Sequence, residues 1–594
     1  MRRPHIRGVA IAIAVTTAAT LPAVPAVADA PALAAAAASS PVDAARAAAF
    51  AHASATGVSR GDTLEAKDVL TDPDGKQHVR FVRTHQGLPV LGGDLVVHLT
   101  KRSTYLGVTR AADHTVKPAA AGQAKLTPAQ AEQKAAAAAQ GDATEAALVV
   151  DARDGGSALA YQVRVTDSKT TEATGSRTVV VDAVTGRIRS NTPDSDEFIS
   201  PSLAQTLRER GETANPATGT ADSALTGSSL LTGISGAASY PRKASGTGTS
   251  LFVGKVGLST TQTARTSFLL KDSTRWGTET RDAKGQYLEA FSRGKKFTDK
   301  NNKWGTGKTS SRQSAAVDAQ YGVTKTLDFY KKTFGRKGIK NNSTGARAMV
   351  HFGTKVGNAF WDSACGCMLY GDGDGDLFKK PLVVLDVTGH ELTHGVVDAT
   401  AALEPTRVDR DGNQFGEPGS LNESLADIFG TGMEFATNNS KDAGDYLVGE
   451  KLGLDQKFLR RLDEPSRDKL EGTIDYWSPE TYDTEVHAGS GVSSHAFYLL
   501  AEGSGRKTIG GVKYNSPTSD GSTVTGIGRA KALAIFYRAL TRYMVSTTDF
   551  HDARNATLKA ATDMYGADSI EYQTVDKAWA GVNVTSANTP STGR

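Results

Sequence analysis

The stretch Val383-Val384-Leu385-Asp386-Val387-Thr388-Gly389-His390-Glu391-Leu392-Thr393-His394 decides how this chain is read. Helical periodicity begins at Val383, and in a helix positions i and i+4 share a face. His390 and His394 can therefore each offer an imidazole nitrogen to one zinc ion, while Glu391 sits beside them to handle a proton. An exposed polar helix face would carry the same five letters, so a further ligand is needed. Gly419-Ser420-Leu421-Asn422-Glu423-Ser424-Leu425-Ala426-Asp427 reads as the start of a second helix that supplies Glu423. Two histidines and a glutamate leave zinc's fourth position for water, as catalysis requires. Ser420 and Glu423 also fit an S-x-x-E capping box, and the same residues can serve both purposes.

Working outward, 594 residues exceed what one hydrophobic core supports. Lys plus Arg number 68 against 64 for Asp plus Glu, a net charge of +4, so no strong field points to nucleic acid or a membrane surface. Arg2, Arg3 and Arg7, the apolar run Val9 to Leu21, and Ala26-Val27-Ala28 predict an export signal over 1–28. That run is shorter than the roughly 18 residues of a membrane span. Residues 29–60 are Ala-rich, and 196–244 are rich in Ser, Thr, Gly and Ala; both read as linkers, the second as the processing region. Between them, His78 to Arg83 with Leu95 to Leu99, and Thr178 to Asp182 before a Thr185-Gly186 turn, predict two small α+β modules over 61–115 and 125–195. Short strand-like runs up to about residue 380 followed by helical periodicity favour α+β over a doubly wound sheet.

Four further segments keep one order along the chain: Asn358-Ala359-Phe360-Trp361, Tyr370 to Gly375, the Asn422-Glu423 segment and Val486-His487-Ala488-Gly489. Together with the zinc pattern they resemble the thermolysin family of metalloendopeptidases over residues 245–585. His78 to Leu99 looks like the first propeptide module of thermolysin- and fungalysin-type enzymes, and Val181 to Gly186 like the module called PepSY. The resemblance implies two small propeptide modules and a two-lobed catalytic domain. Its β-rich N-terminal lobe with the zinc helix spans 245–395, its mainly helical C-terminal lobe 396–585, with a tail at 586–594. It implies one catalytic zinc on His390, His394 and Glu423, Glu391 as general base, and Asp427 and Asn422 as supports of the two histidines.

The resemblance also implies His487 as a donor to the oxyanion, oriented by Asp483 although the spacing is one residue short, with Glu485 as the competing partner. Asn358, Ala359, Trp361 and Arg460 would hold the substrate backbone, with Arg461 the alternative to Arg460. Phe378, Val387 and Leu459 would line an apolar pocket for a large side chain just after the cut. Asp386, Glu434, Asp445 and Glu450, with the backbone of Leu447, match family ligands for one structural calcium, as hard oxygen donors suit that ion. Asp372, Asp374 and Asp376 look like a further calcium loop, but Leu377 and Val383 break the pattern.

Two departures stand out. The interval from His394 to Glu423 is longer than thermolysin's, with an extra loop over Glu404 to Pro418, and the place of the family's oxyanion tyrosine holds Pro405. Cys365-Gly366-Cys367 is either a disulfide across one residue, a pair of inert thiols or a redox-sensitive edge of the cleft. The expectation is a secreted, monomeric endopeptidase that acts on protein and peptide substrates and is held inactive by its own propeptide, with no nucleic acid or membrane partner. A fungalysin-type enzyme and a catalytically dead relative are the alternatives.

Overall fold

The computed structural model describes residues 40–117, 123–153, 155–166, 176–212, 239–288 and 290–588. The export signal, the first part of the Ala-rich segment, the middle of the processing region and most of the tail lie outside these residues. Among the described residues no helix is long and apolar enough to cross a membrane.

Alanine, the best helix former, makes the end of the supposed Ala-rich linker helical: α1 (Pro41–Ala51) and α2 (Ala53–Thr56) precede the first strands. Ala45 and Ala49, one turn apart, are fully buried against Val79, Phe81, Leu95 and Val97, so this stretch belongs to the first module. That module adds β1 (Asp62–Thr71), β2 (Gln77–His85), β3 (Leu88–Leu91), β4 (Leu95–Leu99) and β5 (Tyr105–Arg110). The second comprises α3 (Pro128–Ala139), β6 (Asp142–Asp151), β7 (Ala158–Thr166), β8 (Ser176–Asp182) and β9 (Ile188–Pro193). Parallel pairing of β3 with β6, Val90 opposite Val150, joins the two modules into one nine-stranded sheet.

The segment read as a linker from 196 also begins as ordered structure, with β10 (Ser195–Glu197) and α4 (Pro201–Glu212). Ser200 accepts the Leu203 amide and Pro201 opens the helix, a helix start that composition alone hid. Phe198, Ile199, Leu203 and Leu207 are buried in the core of the following lobe.

That lobe contains β11 (Arg242–Thr249), β12 (Lys255–Ala264), β13 (Ser267–Leu269), β14 (Lys271–Asp272), β15 (Thr278–Asp282), β16 (Lys295–Lys296), β17 (Thr298–Asp299), β18 (Lys303–Trp304), α5 (Arg312–Phe334), β19 (Arg347–Val350), β20 (Ala359–Asp362), β21 (Cys367–Tyr370) and α6 (Leu385–Asp398). One of its sheets runs β10-β20-β21-β19-β15-β14, so the strand ahead of the lobe supplies the edge of the lobe's own sheet. The long helix α5 escapes the sequence reading because its middle is buried all round and leaves no apolar stripe.

The C-terminal lobe follows with the hairpin β22 (Arg407–Val408) and β23 (Gln414–Phe415), then α7 (Glu417–Thr437), β24 (Leu447–Val448), β25 (Arg460–Arg461), α8 (Val486–Gly489), α9 (Gly491–Glu502), the hairpin β26 (Gly505–Ile509) and β27 (Val512–Ser516), α10 (Arg529–Arg542), α11 (Phe550–Tyr565) and α12 (Ile570–Gly581). The architecture is α+β, two-lobed, with the small modules ahead. Helix α7 starts at Glu417 with Pro418 in its first turn. Ser420 and Glu423 are therefore helix interior, and the capping box does not form.

The first module is seated on α10. Asp72 accepts from Arg542 Nε at 2.9 Å and from Arg538, and it also receives His78 Nε2 at 2.9 Å. Arg80 donates to the Met544 carbonyl at 2.8 Å, and Ser546 Oγ donates to Asp94.

Helices α6 and α7 cross at two glycines. A Cβ on Gly430 would stand 2.8 Å from the Asp386 carbonyl oxygen and 2.9 Å from His390 N, and one on Gly389 would stand 2.8 Å from Gly430 Cα. Both neighbours are backbone and cannot rotate away. Gly430→Ala should therefore cost about 1–3 kcal/mol, read as a lower urea midpoint at unchanged slope. An unchanged midpoint would show that the crossing tolerates a wider spacing.

Candidate metal centre and cleft

The close crossing aims side chains of both helices at one point. His390, His394 and Glu423 place one donor atom each within 4.8 Å of one another, all buried. His390 Nε2 lies 3.0 Å from His394 Nε2, and Glu423 oxygens lie 3.4 and 3.6 Å from those nitrogens.

The far sides of the rings fix their tautomers. His390 Nδ1 donates to Asp427 Oδ1 at 2.7 Å and His394 Nδ1 to Asn422 Oδ1 at 3.0 Å. Both are acceptors, so in the neutral rings both Nε2 atoms carry lone pairs that face each other beside a carboxylate. Such a triangle calls for a cation at its centre, and two imidazoles with one carboxylate suit zinc.

The electrostatics agree. Burial pushes His390 down, but Asp427 and Glu423 outweigh it and raise the ring to about 9, the mark of a site that favours positive charge. Burial lowers His394 to about 4, a neutral ring ready to ligate. Burial pushes Asp427 up, yet bidentate Arg460, at 2.8 and 3.0 Å, and His390 hold it down near 2.

Glu391, next to His390 on α6, is fully buried, and neither of its carboxylate oxygens has a hydrogen-bond partner. Burial drives its carboxyl well above the usual range. Across the cluster, His487 Nε2 stands 3.6 Å from Glu423 Oε2. His487 Nδ1 meets Glu485 at 3.0 Å, while Asp483 is exposed and pairs with Arg407 at 2.9 Å. The structure thus corrects the expected partner: Glu485 caps α8 and accepts both the ring and the amide of His487, a local geometry that a four-residue spacing cannot match. Burial lowers His487, but Glu485 and Glu423 raise it well above its ordinary value.

The cleft beside this cluster is occupied by the chain itself. Segment Ser195–Glu197 pairs antiparallel with β20, and the residues named for substrate binding hold it. The Phe198 amide donates to the Ala359 carbonyl at 3.0 Å, and the Ile199 amide to Asn358 Oδ1 at 3.2 Å. Arg460 Nη1 donates to the Phe198 carbonyl at 2.9 Å, and His487 Nε2 to the Glu197 carbonyl at 2.7 Å. Trp361 pairs with Asp196 in the ladder and its ring donates to Asp398 at 2.7 Å. Arg461 turns away to Asp463.

The Phe198 ring is fully buried, with its centroid 5.4 Å from that of His390, edge to face. Its tip would lie 3.5 Å from a Cβ on Gly449, which would also stand 3.3 Å from Leu459 Cβ. Phe378 and Val387 are buried in the same core.

A second cluster, of carboxylates, lies on the other side of Gly449. Glu434, Asp442 and Glu450 bring oxygens within 4.8 Å of one another, and the Gly449 amide donates to Asp386. Glu434 Oε1, both oxygens of Asp442 and of Glu450, and Asp386 Oδ1 are buried without hydrogen-bond partners. Burial, then mutual repulsion, raises Glu434 and Glu450 well above the usual range. Asp386 is raised to about 7, again by burial first. Asp442, three residues before Asp445, was missed by sequence reasoning; it forms an isolated β-bridge with Asn439. Asp445 instead accepts the Leu447 amide at 2.7 Å, and Leu447 pairs with Arg461 in β24 and β25.

The departures are also placed. The extra loop forms the β22–β23 hairpin, where Asn413 accepts the Ser202 amide at 3.0 Å and Glu404 meets Arg153 at 3.3 Å. Pro405 packs on Gly419. Cys365 and Cys367 are joined in a disulfide. Asp372 pairs with His351, and Asp374 accepts the Asp376 and Phe378 amides.

A three-donor metal triangle between two lobes, with a buried carboxylate beside it and an extended segment along the sheet edge, fits a metallopeptidase carrying its own N-terminal modules. Residues 245–398 match the thermolysin metallopeptidase catalytic domain and 413–584 its alpha-helical domain. Residues 62–112 match the fungalysin/thermolysin propeptide motif and 125–191 the peptidase propeptide and YPEB domain. The chain is 31% identical over 548 residues to the thermostable neutral protease NprT of Geobacillus stearothermophilus, covering 88% of this chain and 86% of that protein. It is 38% identical over 530 residues to the transglutaminase-activating metalloprotease of Streptomyces mobaraensis, covering 89% of this chain and 62% of that one. Against thermolysin of Alicyclobacillus acidocaldarius subsp. acidocaldarius it is 38% identical over 282 residues, 46% of each chain. This chain belongs to the thermolysin family of metallopeptidases.

Asp427 holds His390 in the tautomer that ligates, so Asp427→Asn should lower zinc affinity about 10–100-fold. Zinc content after dialysis against buffered zinc measures this, and equal content at limiting metal would show that Asp427 serves only the fold.

Proposed function

We propose that the chain is a secreted, monomeric zinc endopeptidase, made as an inactive precursor, that hydrolyses internal bonds of extracellular proteins and peptides ahead of a large apolar residue. The observation that supports it most is Glu391: a buried carboxylate with no partner, beside a three-donor metal triangle and an extended backbone. A purely structural metal site has no use for such a base, which disfavours the dead-relative reading.

His390, His394 and Glu423 would hold zinc, which polarises a carbonyl and lowers the pKa of water toward about 7. Glu391 takes the proton of the attacking water and delivers it to the leaving nitrogen. His487, kept protonated by Glu485, donates to the oxygen that gains charge, in the role the missing tyrosine would otherwise share. Ala359, Asn358 and Arg460 fix the backbone after the cut, and the pocket beside Leu459 and Gly449 takes the apolar side chain. The propeptide inhibits by filling this cleft with residues 195–199.

Asp386, Glu434, Asp442 and Glu450 would hold calcium, because buried oxygens in such number repel one another unless a hard cation joins them. Gly449, held by Asp386, carries that order to the pocket wall.

Glu391→Gln should reduce casein hydrolysis by the processed enzyme about 10²–10⁴-fold, and a zinc chelator should abolish it. Full activity in either case would refute the proposal. Calcium at a hundredfold excess over its Kd should stabilise the chain by about 2.7 kcal/mol in a melting experiment, and Glu434→Gln should remove that gain. Equal midpoints with calcium and with a calcium-selective chelator would take calcium out of the proposal.

A further inference from the structure

The strand beside β20 belongs to a segment that none of the family matches covers, between 191 and 245. Four backbone hydrogen bonds to the cleft fall on the two peptide bonds that flank Phe198. The Glu197 carbonyl on one side faces His487 Nε2 at 2.7 Å, and on the other side the Phe198 amide reaches the Ala359 carbonyl at 3.0 Å. One residue on, the Phe198 carbonyl and the Ile199 amide are taken by Arg460 and Asn358.

An inhibitory strand could instead block the site by pushing a carboxylate onto the metal. Here the carboxylate contacts lie off the ligand side of the histidines. Asp196 Oδ1 lies 3.2 Å from Asn422 Nδ2 and 3.8 Å from His394 Nδ1, the ring nitrogen opposite the ligand side. Glu197 Oε2 lies 3.0 Å from Asn358 Nδ2. What the strand offers the reacting side is a carbonyl, with a phenylalanine ring buried in the apolar pocket just after it.

We infer that the Glu197–Phe198 peptide bond is the site's own first substrate, cut within the same molecule; the inference rests on the peptidase reading above. The water oxygen bonds to the Glu197 carbonyl carbon and the carbon–nitrogen bond to Phe198 breaks. Glu391 carries the water proton to the Phe198 nitrogen, leaving a carboxylic acid on Glu197 and an amine on Phe198, with no redox change. The piece ending at Glu197 keeps its seat on α10 through Asp72, Arg80 and Asp94, so the cut frees the cleft strand at one end without dismissing the propeptide.

Zinc-loaded full chain, followed by intact mass and N-terminal sequencing, should give an early fragment beginning Phe198-Ile199-Ser200. Its half-time should not change over a tenfold dilution. Phe198→Leu should keep the cut, and Phe198→Gly should slow it at least tenfold. In the full chain carrying Glu391→Gln the bond should stay whole, and hydrogen exchange should find the Phe198 and Ile199 amides protected. Mature activity appearing while every product retains an intact 197–198 bond would overturn the inference and leave the peptidase reading standing, and a dilution-dependent half-time would overturn its intramolecular part. Processing that persists unchanged in Glu391→Gln would overturn the peptidase reading itself. Should Phe198→Gly fail to fold, the fragment map of the parent chain decides.

Discussion

Everything in the site depends on how closely α6 and α7 approach. With glycine on both helices at the crossing, the backbones touch, and Glu423 and Asp427 come within reach of His390 and His394. A wider spacing would leave two imidazoles on one helix with no third donor. Only at this separation do the three donors form a triangle that a single cation can satisfy.

The interior of the molecule carries charge that hydrogen bonding does not balance. Around the zinc triangle, Asp427, Asn422 and Arg460 build an outer layer that fixes which ring nitrogen faces inward. In the carboxylate cluster the support is thinner, the Gly449 and Asp445 amides and Lys451, and burial raises Glu434 and Glu450 well above the usual range. The two centres meet at Gly449, whose amide binds Asp386 and whose Cα faces Leu459 and Phe198. A single bend in the chain thus joins a structural centre to the wall of the pocket.

The segment ahead of the catalytic domain pairs with a sheet edge as an extended peptide would. Unpaired backbone groups at a sheet edge accept any extended strand of suitable register, and β10 is tied to the domain whose cleft it fills. The strand follows β9 of the nine-stranded sheet directly in the chain, and the Asp72 ion pairs tie that sheet to α10.

The sequence by itself placed His390, Glu391 and His394 together through helical spacing, and the alternating runs at 78–83, 95–99 and 178–182 became β2, β4 and β8. It also determined the two lobes and their order. It misjudged composition for structure at 41–56 and 196–212, because alanine and serine-rich stretches leave few large side chains to show a periodic face. It missed α5, since a helix buried all round has no such face. Only the tertiary structure decided that Glu485 rather than Asp483 meets His487, that Asp442 joins the carboxylate cluster, and that Glu197 and Phe198 lie against His487 and Ala359. The reason is physical: spacing along one helix is set by local geometry, whereas which way a side chain outside a helix turns, and which distant strand meets it, is settled only once the packed core has chosen which surfaces touch.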